Sequence, residues 1–163
     1  MTEITFYFNV PERLNYACRL VRKALQSPGN KAQKGVAVLA PSAILSRFDR
    51  ALWSFDATEF IPHVLLPNFV GGGVDVRVDV DSDAGSLAAK HSRTPVWLVE
   101  QAERAAHMSV LLHLGDEPAV GFESFQRLIE VVSADPTERA AARIRWKHYK
   151  ARGYDIQKHE VGA

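Results

Sequence analysis

The run Gly35-Val36-Ala37-Val38-Leu39-Ala40 is the feature that most narrows what this chain can fold into. It is strand-length, wholly small or apolar, and shows no polar alternation. A strand of that kind is buried on both faces, the situation inside a parallel sheet covered by helices. The flanking patterns agree. Residues 4–9 alternate and are rich in aromatic and β-branched types, which predicts a strand. Pro11-Glu12 then opens a helix whose apolar face is Leu14, Ala17, Cys18, Val21 and Leu25. Ser27-Pro28-Gly29-Asn30 closes it. Ser42 can cap a second helix, with Ile44, Leu45, Phe48, Leu52 and Trp53 at helical spacing.

Further along, Val74 to Val80 alternates apolar and polar residues and predicts a strand. Val96-Trp97-Leu98-Val99 and Ser109 to Leu114 predict two more. Phe122, Phe125, Leu128 and Ile129 recur at helical spacing and predict a helix. A basic helix near 137–152 follows, and a short tail ends the chain. Strands alternating with helices predict a three-layer α/β/α sandwich with a mostly parallel or mixed sheet, formed as a single domain over residues 1–163.

Composition limits the function classes. No apolar run approaches the roughly 20 residues a membrane-spanning helix needs, and no secretory signal pattern stands at the N-terminus. Cys18 is the sole cysteine, so no intramolecular disulfide can form, which fits a reducing cytoplasm. Its place on the apolar face of the first helix predicts burial. Asp79, Asp81 and Asp83 alternate as calcium-loop ligands do, but Ala84 and Lys90 stand where that loop needs Gly and Glu. Gly71-Gly72-Gly73 lacks the Lys-Ser/Thr continuation of a phosphate loop. The six histidines form no zinc pair, and no nucleophile elbow or spaced acid–base pair is present. No catalytic, cofactor-binding or metal-ligating set is predicted.

Charge is concentrated in one place. Six basic residues and one acidic residue occupy 137–154, although the whole chain carries a net charge of only +1. Thr137 can cap this helix, Glu138 suits its positive first turn, and Gly153 is placed to stop it. At about 100° per residue, Arg139, Arg143, Trp146 and Lys150 share one stripe, with Lys147 at its edge. A solvated helix face would mix acids among these bases. Three readings fit: a solvated surface, a nucleic-acid contact, or a site for a short acidic, aromatic peptide. The near-neutral chain, without a nucleic-acid-binding motif, favours the peptide. Arginine offers carboxylates a planar fork and the indole supplies an apolar wall. A second aromatic concentration is Trp53, Phe55 and Phe60, read either as core or as a protein-binding hot spot.

The run Ala142-Arg143-Ile144-Arg145-Trp146-Lys147-His148-Tyr149-Lys150, with Gly153-Tyr154, resembles the C-terminal signature of the chi subunit family of bacterial DNA polymerase III. Three further segments are similar, in order along the chain: Ile4 to Phe8; Asp49 to Trp53 with Phe60-Ile61-Pro62-His63; and Gly121-Phe122-Glu123 leading to Glu130-Val131-Val132, matched to the helix before the last. The resemblance implies a noncatalytic, cytoplasmic clamp-loader accessory subunit of DNA replication, contacting DNA mainly indirectly. It implies that Arg139, Arg143, Trp146, Lys147 and Lys150 bind the acidic C-terminal tail of single-stranded DNA-binding protein, which ends in Asp-Asp-Ile-Pro-Phe or a close variant. It implies that Trp53 and Phe60 bind the psi subunit or a competing helicase-type protein. The readings from other classes are a small nucleotide-binding or nucleic-acid-processing α/β enzyme and a direct single-stranded DNA binder.

Overall fold

A computed structural model describes residues 2–26, 35–54, 61–65, 94–105 and 108–161. The expected strand at 74–80, the Asp79 to Asp83 cluster, Gly71 to Gly73, Phe55 and Phe60 lie outside these described residues. The elements in chain order are β1 (Glu3–Val10), α1 (Arg13–Gln26), β2 (Val36–Leu39), α2 (Ser42–Ser54), β3 (His63–Leu65), β4 (Val96–Val99), β5 (Val110–His113), β6 (Arg127–Ser133), α3 (Pro136–Ala151) and β7 (Ile156–Glu160). Single 3-10 turns stand at Ala102–Ala105 and Phe122–Ser124.

The strands form one seven-stranded sheet in the order β3-β4-β2-β5-β6-β1-β7, parallel at every pairing. β2 is buried along its whole length, as the unbroken apolar run requires. Two cores flank the sheet. Cys18, Val21, Leu45 and Phe48 of α1 and α2 pack against Val38, Leu98 and Leu112 on one face. Ala142 and Tyr149 of α3 pack with Phe6, Trp97, Leu111, Phe122 and Leu128 on the other. The three-layer α/β/α sandwich expected from the sequence is therefore the observed architecture.

Two local expectations are corrected. Leu128 and Ile129 belong to strand β6, not to a helix. The helical spacing that suggested one joins two elements: Phe122 sits in a 3-10 turn, Phe125 follows it, and the strand starts at Arg127. Short apolar runs carry no decisive period, and the Val131-Val132 pair favours strand. The cap of α3 is Asp135 rather than Thr137. Its carboxylate accepts from the Thr137 amide at 2.8 Å and the Glu138 amide at 3.2 Å, with Pro136 opening the first turn. The tail after α3 is an ordered edge strand, β7, reached through Gly153 at φ 88°, where a left-handed residue stops the helix as anticipated.

Cys18 is buried in the α1 core, as expected, and burial pushes its thiol up to about 12. Near pH 8 only about one thiol in 10⁴ would be ionised, and thiolate is the reactive form. Native protein should therefore leave Cys18 unmodified by a disulfide-exchange reagent at pH 8, and release one equivalent when unfolded in guanidinium. Rapid native labelling would contradict the burial.

Candidate functional site

The opposite faces of α3 do different work. Ala142, Arg145 and Tyr149 turn inward, while Arg139, Arg143, Lys147 and Lys150 are exposed and Trp146 is half-buried between the two sets. Arg145 belongs to the same basic run, but it is 2% exposed. Its Nε donates to Glu130 Oε2 at 3.1 Å, and its Nη1 donates to the Asp116 carbonyl at 3.0 Å. Glu130 is fully buried on β6. Its Oε1 also accepts from the Tyr149 hydroxyl at 2.8 Å and from His113 Nδ1 at 2.8 Å. Burial first, and then the Glu130 charge, hold the Tyr149 phenol far above its ordinary range, so the hydroxyl remains a donor. The same hydroxyl accepts the Ala119 amide at 3.0 Å. This network sets the rotation of α3 about its axis and so aims the exposed stripe.

The stripe faces a groove of about 460 Å³ between α3 and the edge of the sheet. Arg139, Arg143, Trp146 and Lys147 line it from the helix; Phe8, Asn9, Lys158 and Glu160 line it from β1 and β7. Strand alternation explains the second set. Phe6 pairs with Lys158 and Phe8 with Glu160, so all four side chains share the α3 face. The Trp146 ring lies 5.1 Å from Phe6 and 5.9 Å from Phe8, which gives the groove an aromatic base. Lys158 Nζ stands 5.5 Å from the Phe8 ring centroid.

The electrostatics are one-sided. Four cations and one carboxylate line the groove, and among the described residues none of the four cations makes an ion pair. Unpaired cations beside an aromatic floor suit an anion that also carries an apolar group. Four of the five sequence-predicted tail residues meet in this groove. Lys150 is exposed on the same helix and does not line it. Phe8, Lys158 and Glu160 were not anticipated. Their signal was the strand alternation of Phe6-Tyr7-Phe8 and Ile156 to Glu160, which becomes informative only once β7 is placed beside β1.

Trp53 lies elsewhere. It is 57% exposed at the end of α2 and tilts against the His63 ring at 4.9 Å. This excludes the core reading for Trp53. His63 is held in turn by Asp49 at 2.9 Å and by the Ile61 carbonyl at 2.8 Å. β3, which carries His63, and β7, which carries Lys158, are opposite edges of the sheet. Six steps of about 4.8 Å separate those edges by roughly 29 Å. No helix among the described residues is long and apolar enough to cross a membrane, and no cluster of three or more metal-ligating side chains occurs among them.

The family model for the DNA polymerase III chi subunit matches residues 1–157. The chain is also 30% identical over 169 aligned positions to the DNA polymerase III subunit chi of Pseudomonas aeruginosa, covering 99% of this chain and 98% of that relative.

Arg145→Ala would strand the Glu130 carboxylate in the core with one fewer cation. Breaking such a buried pair from one side costs about 3–5 kcal/mol. Urea unfolding should show that loss, against less than about 0.5 kcal/mol for Lys150→Ala on the exposed face. Similar midpoints for the two variants would contradict the buried network.

Proposed function

Because the chain belongs to the DNA polymerase III chi subunit family, we propose that it is a noncatalytic, cytoplasmic clamp-loader accessory subunit that ties the polymerase assembly to single-stranded DNA-binding protein. The groove between α3 and β7 is its docking site for that protein's acidic C-terminal tail. One observation carries this reading: four cations with no ion pair among the described residues surround an aromatic base. The tail's carboxylates pair with Arg139, Arg143 and Lys147, and its terminal phenyl ring packs against Trp146 and Phe8. Lys150 extends the positive field beyond the groove. Contact with DNA is then mainly indirect, through the coating protein.

Trp53, with Phe60, forms the docking point for psi or for a competing helicase-type protein. An indole that is more than half exposed is a typical protein-binding anchor. Its place at the far edge of the sheet supports simultaneous use of both surfaces. Two modest contacts joined in one subunit raise the effective concentration of each partner for the other.

Arg143→Ala should weaken binding of a tail peptide by about 1.5–3 kcal/mol, the worth of a charge-assisted hydrogen bond, with native thermal unfolding retained. Deleting the peptide's terminal Phe should cost a similar amount, since burying that ring contributes about 1.5–3 kcal/mol. Calorimetric titration checks both, and unchanged affinity in the two cases would remove the assignment. Raising salt should weaken tail binding, because the cations are exposed. Tight, salt-sensitive binding of oligothymidine by the isolated chain would instead favour a direct single-strand binder.

Phe60→Ala should impair capture of psi, or of the protein that replaces it, and leave tail affinity within about 0.5 kcal/mol of the parent. Arg143→Ala should do the converse. A folded Phe60→Ala variant that loses the tail but keeps its other partner would refute the separation of the two surfaces.

A further inference from the structure

A second cavity, of about 650 Å³, lies at the C-terminal ends of β2, β4 and β5. The chain diverges there. β2 feeds α2, which packs on one face of the sheet, whereas β4 leads into the Ala102–Ala105 turn, which packs on the other. Crevices at such divergence points are the usual ligand sites of parallel sheets. A nucleotide site of this kind offers phosphates a glycine-rich loop or basic groups. Here the lining includes Glu100, Glu103, Asp116 and Glu117, with no Lys or Arg among the residues that form it. None of the four carboxylates has a side-chain ion pair among the described residues. The cavity repels phosphate.

His113 points independently to a ligand. It is 4% exposed and lines the cavity. Its Nδ1 donates to Glu130, so in the neutral ring Nε2 carries the free lone pair. Nε2 has no partner among the described residues, yet no fully enclosed side-chain nitrogen or oxygen among them lacks one. That nitrogen therefore opens to the cavity. Gly115 leaves the opening clear: a Cβ at that position would lie 2.9 Å from Nε2. The rim is also anchored, because Arg145 holds the Asp116 carbonyl and Tyr149 holds the Ala119 amide.

The cavity thus presents a ring nitrogen acceptor and four carboxylates, with the Gln101 amide as its side-chain donor. No three ligating side chains among the described residues converge as a metal ion needs. We propose that this cavity is a second binding site, distinct from the tail groove, that takes an organic cation rich in N–H donors, of the guanidinium type carried by arginine. A planar guanidinium can donate to His113 Nε2 and to the rim carboxylates at once.

The test is an NMR titration of the whole chain that follows the His113 ring nitrogens, with the exposed His159 as internal control. One arm uses agmatine, another a short arginine-containing peptide, and a third the same peptide with citrulline in place of arginine. The expected result is a saturable His113 Nε2 shift with a guanidinium ligand and none with citrulline. Response to the peptide alone would place the cation on a partner protein; response to agmatine as well would admit a free small cation. Both support the site. The double variant Glu103→Gln/Glu117→Gln, altered only at exposed positions, should weaken the response about fivefold and leave tail-peptide binding unchanged. No His113 response to either guanidinium probe, or equal responses to arginine and citrulline, would overturn the proposal. Full guanidinium affinity in the double variant would overturn it equally.

Discussion

A single buried carboxylate organises this molecule. Glu130 stands in the interior of the sheet on β6, between β5 and β1, and a charge there is tolerable only if its partners are complete. They come from two layers. His113 reaches it from β5 within the sheet, while Arg145 and Tyr149 reach it from α3 above. Four groups that would each be costly to bury alone become mutually satisfied. Such a network adds little net stability over an apolar core, but it tolerates only one arrangement of its members. Its structural effect is to fix how α3 is rotated on the sheet. Because Arg143, Trp146 and Lys147 sit on neighbouring positions of the same turns, their aim follows from the burial of Arg145 and Tyr149.

The edges of the sheet carry the consequences. A parallel sheet covered by helices leaves its outermost strands least protected. At one edge, β6 and β1 are mostly buried while β7 is largely exposed, and the margin beside α3 becomes a groove whose base is Phe8 and Trp146. At the other edge, α2 ends beside β3 and leaves Trp53 exposed. The central strands, buried on both faces, separate these two edges.

Much of the architecture was legible because burial leaves a pattern in composition. Val36 to Leu39, short and unbroken, suited an interior strand, and α1 and α2 announced themselves by their apolar faces. β6 was misread because Phe122, Phe125, Leu128 and Ile129 imitate a helical period while belonging to a turn and a strand. Local spacing cannot tell these apart when the segment is apolar throughout. The tail groove was legible on its helical side, where Arg139, Arg143, Trp146 and Lys147 recur every turn. Its sheet side was not, since Lys158 reaches Phe8 through a parallel pairing between the two ends of the chain. Arg145 was hidden for another reason. An arginine amid other basic residues reads as solvated, and only the distant Glu130 reveals that it is buried.

Lys158 and Glu160 also bear on why the groove remains open. An edge strand has unpaired backbone groups and invites another strand to join it, and charged side chains on the edge discourage that. On β7 the same charges stand beside the cations of α3. Lys158, Arg139, Arg143 and Lys147 repel one another weakly in water, where the interaction of exposed charges is screened beyond about 10 Å. In the proposed function, an acidic peptide entering between them would replace that repulsion with attraction and cover the aromatic base in the same step. Glu160 limits where its carboxylates can settle, favouring the α3 side of the groove. Lys158 and Glu160 would therefore serve twice in the proposed function, guarding the sheet edge from indiscriminate pairing and shaping the charge pattern that meets an acidic, aromatic partner.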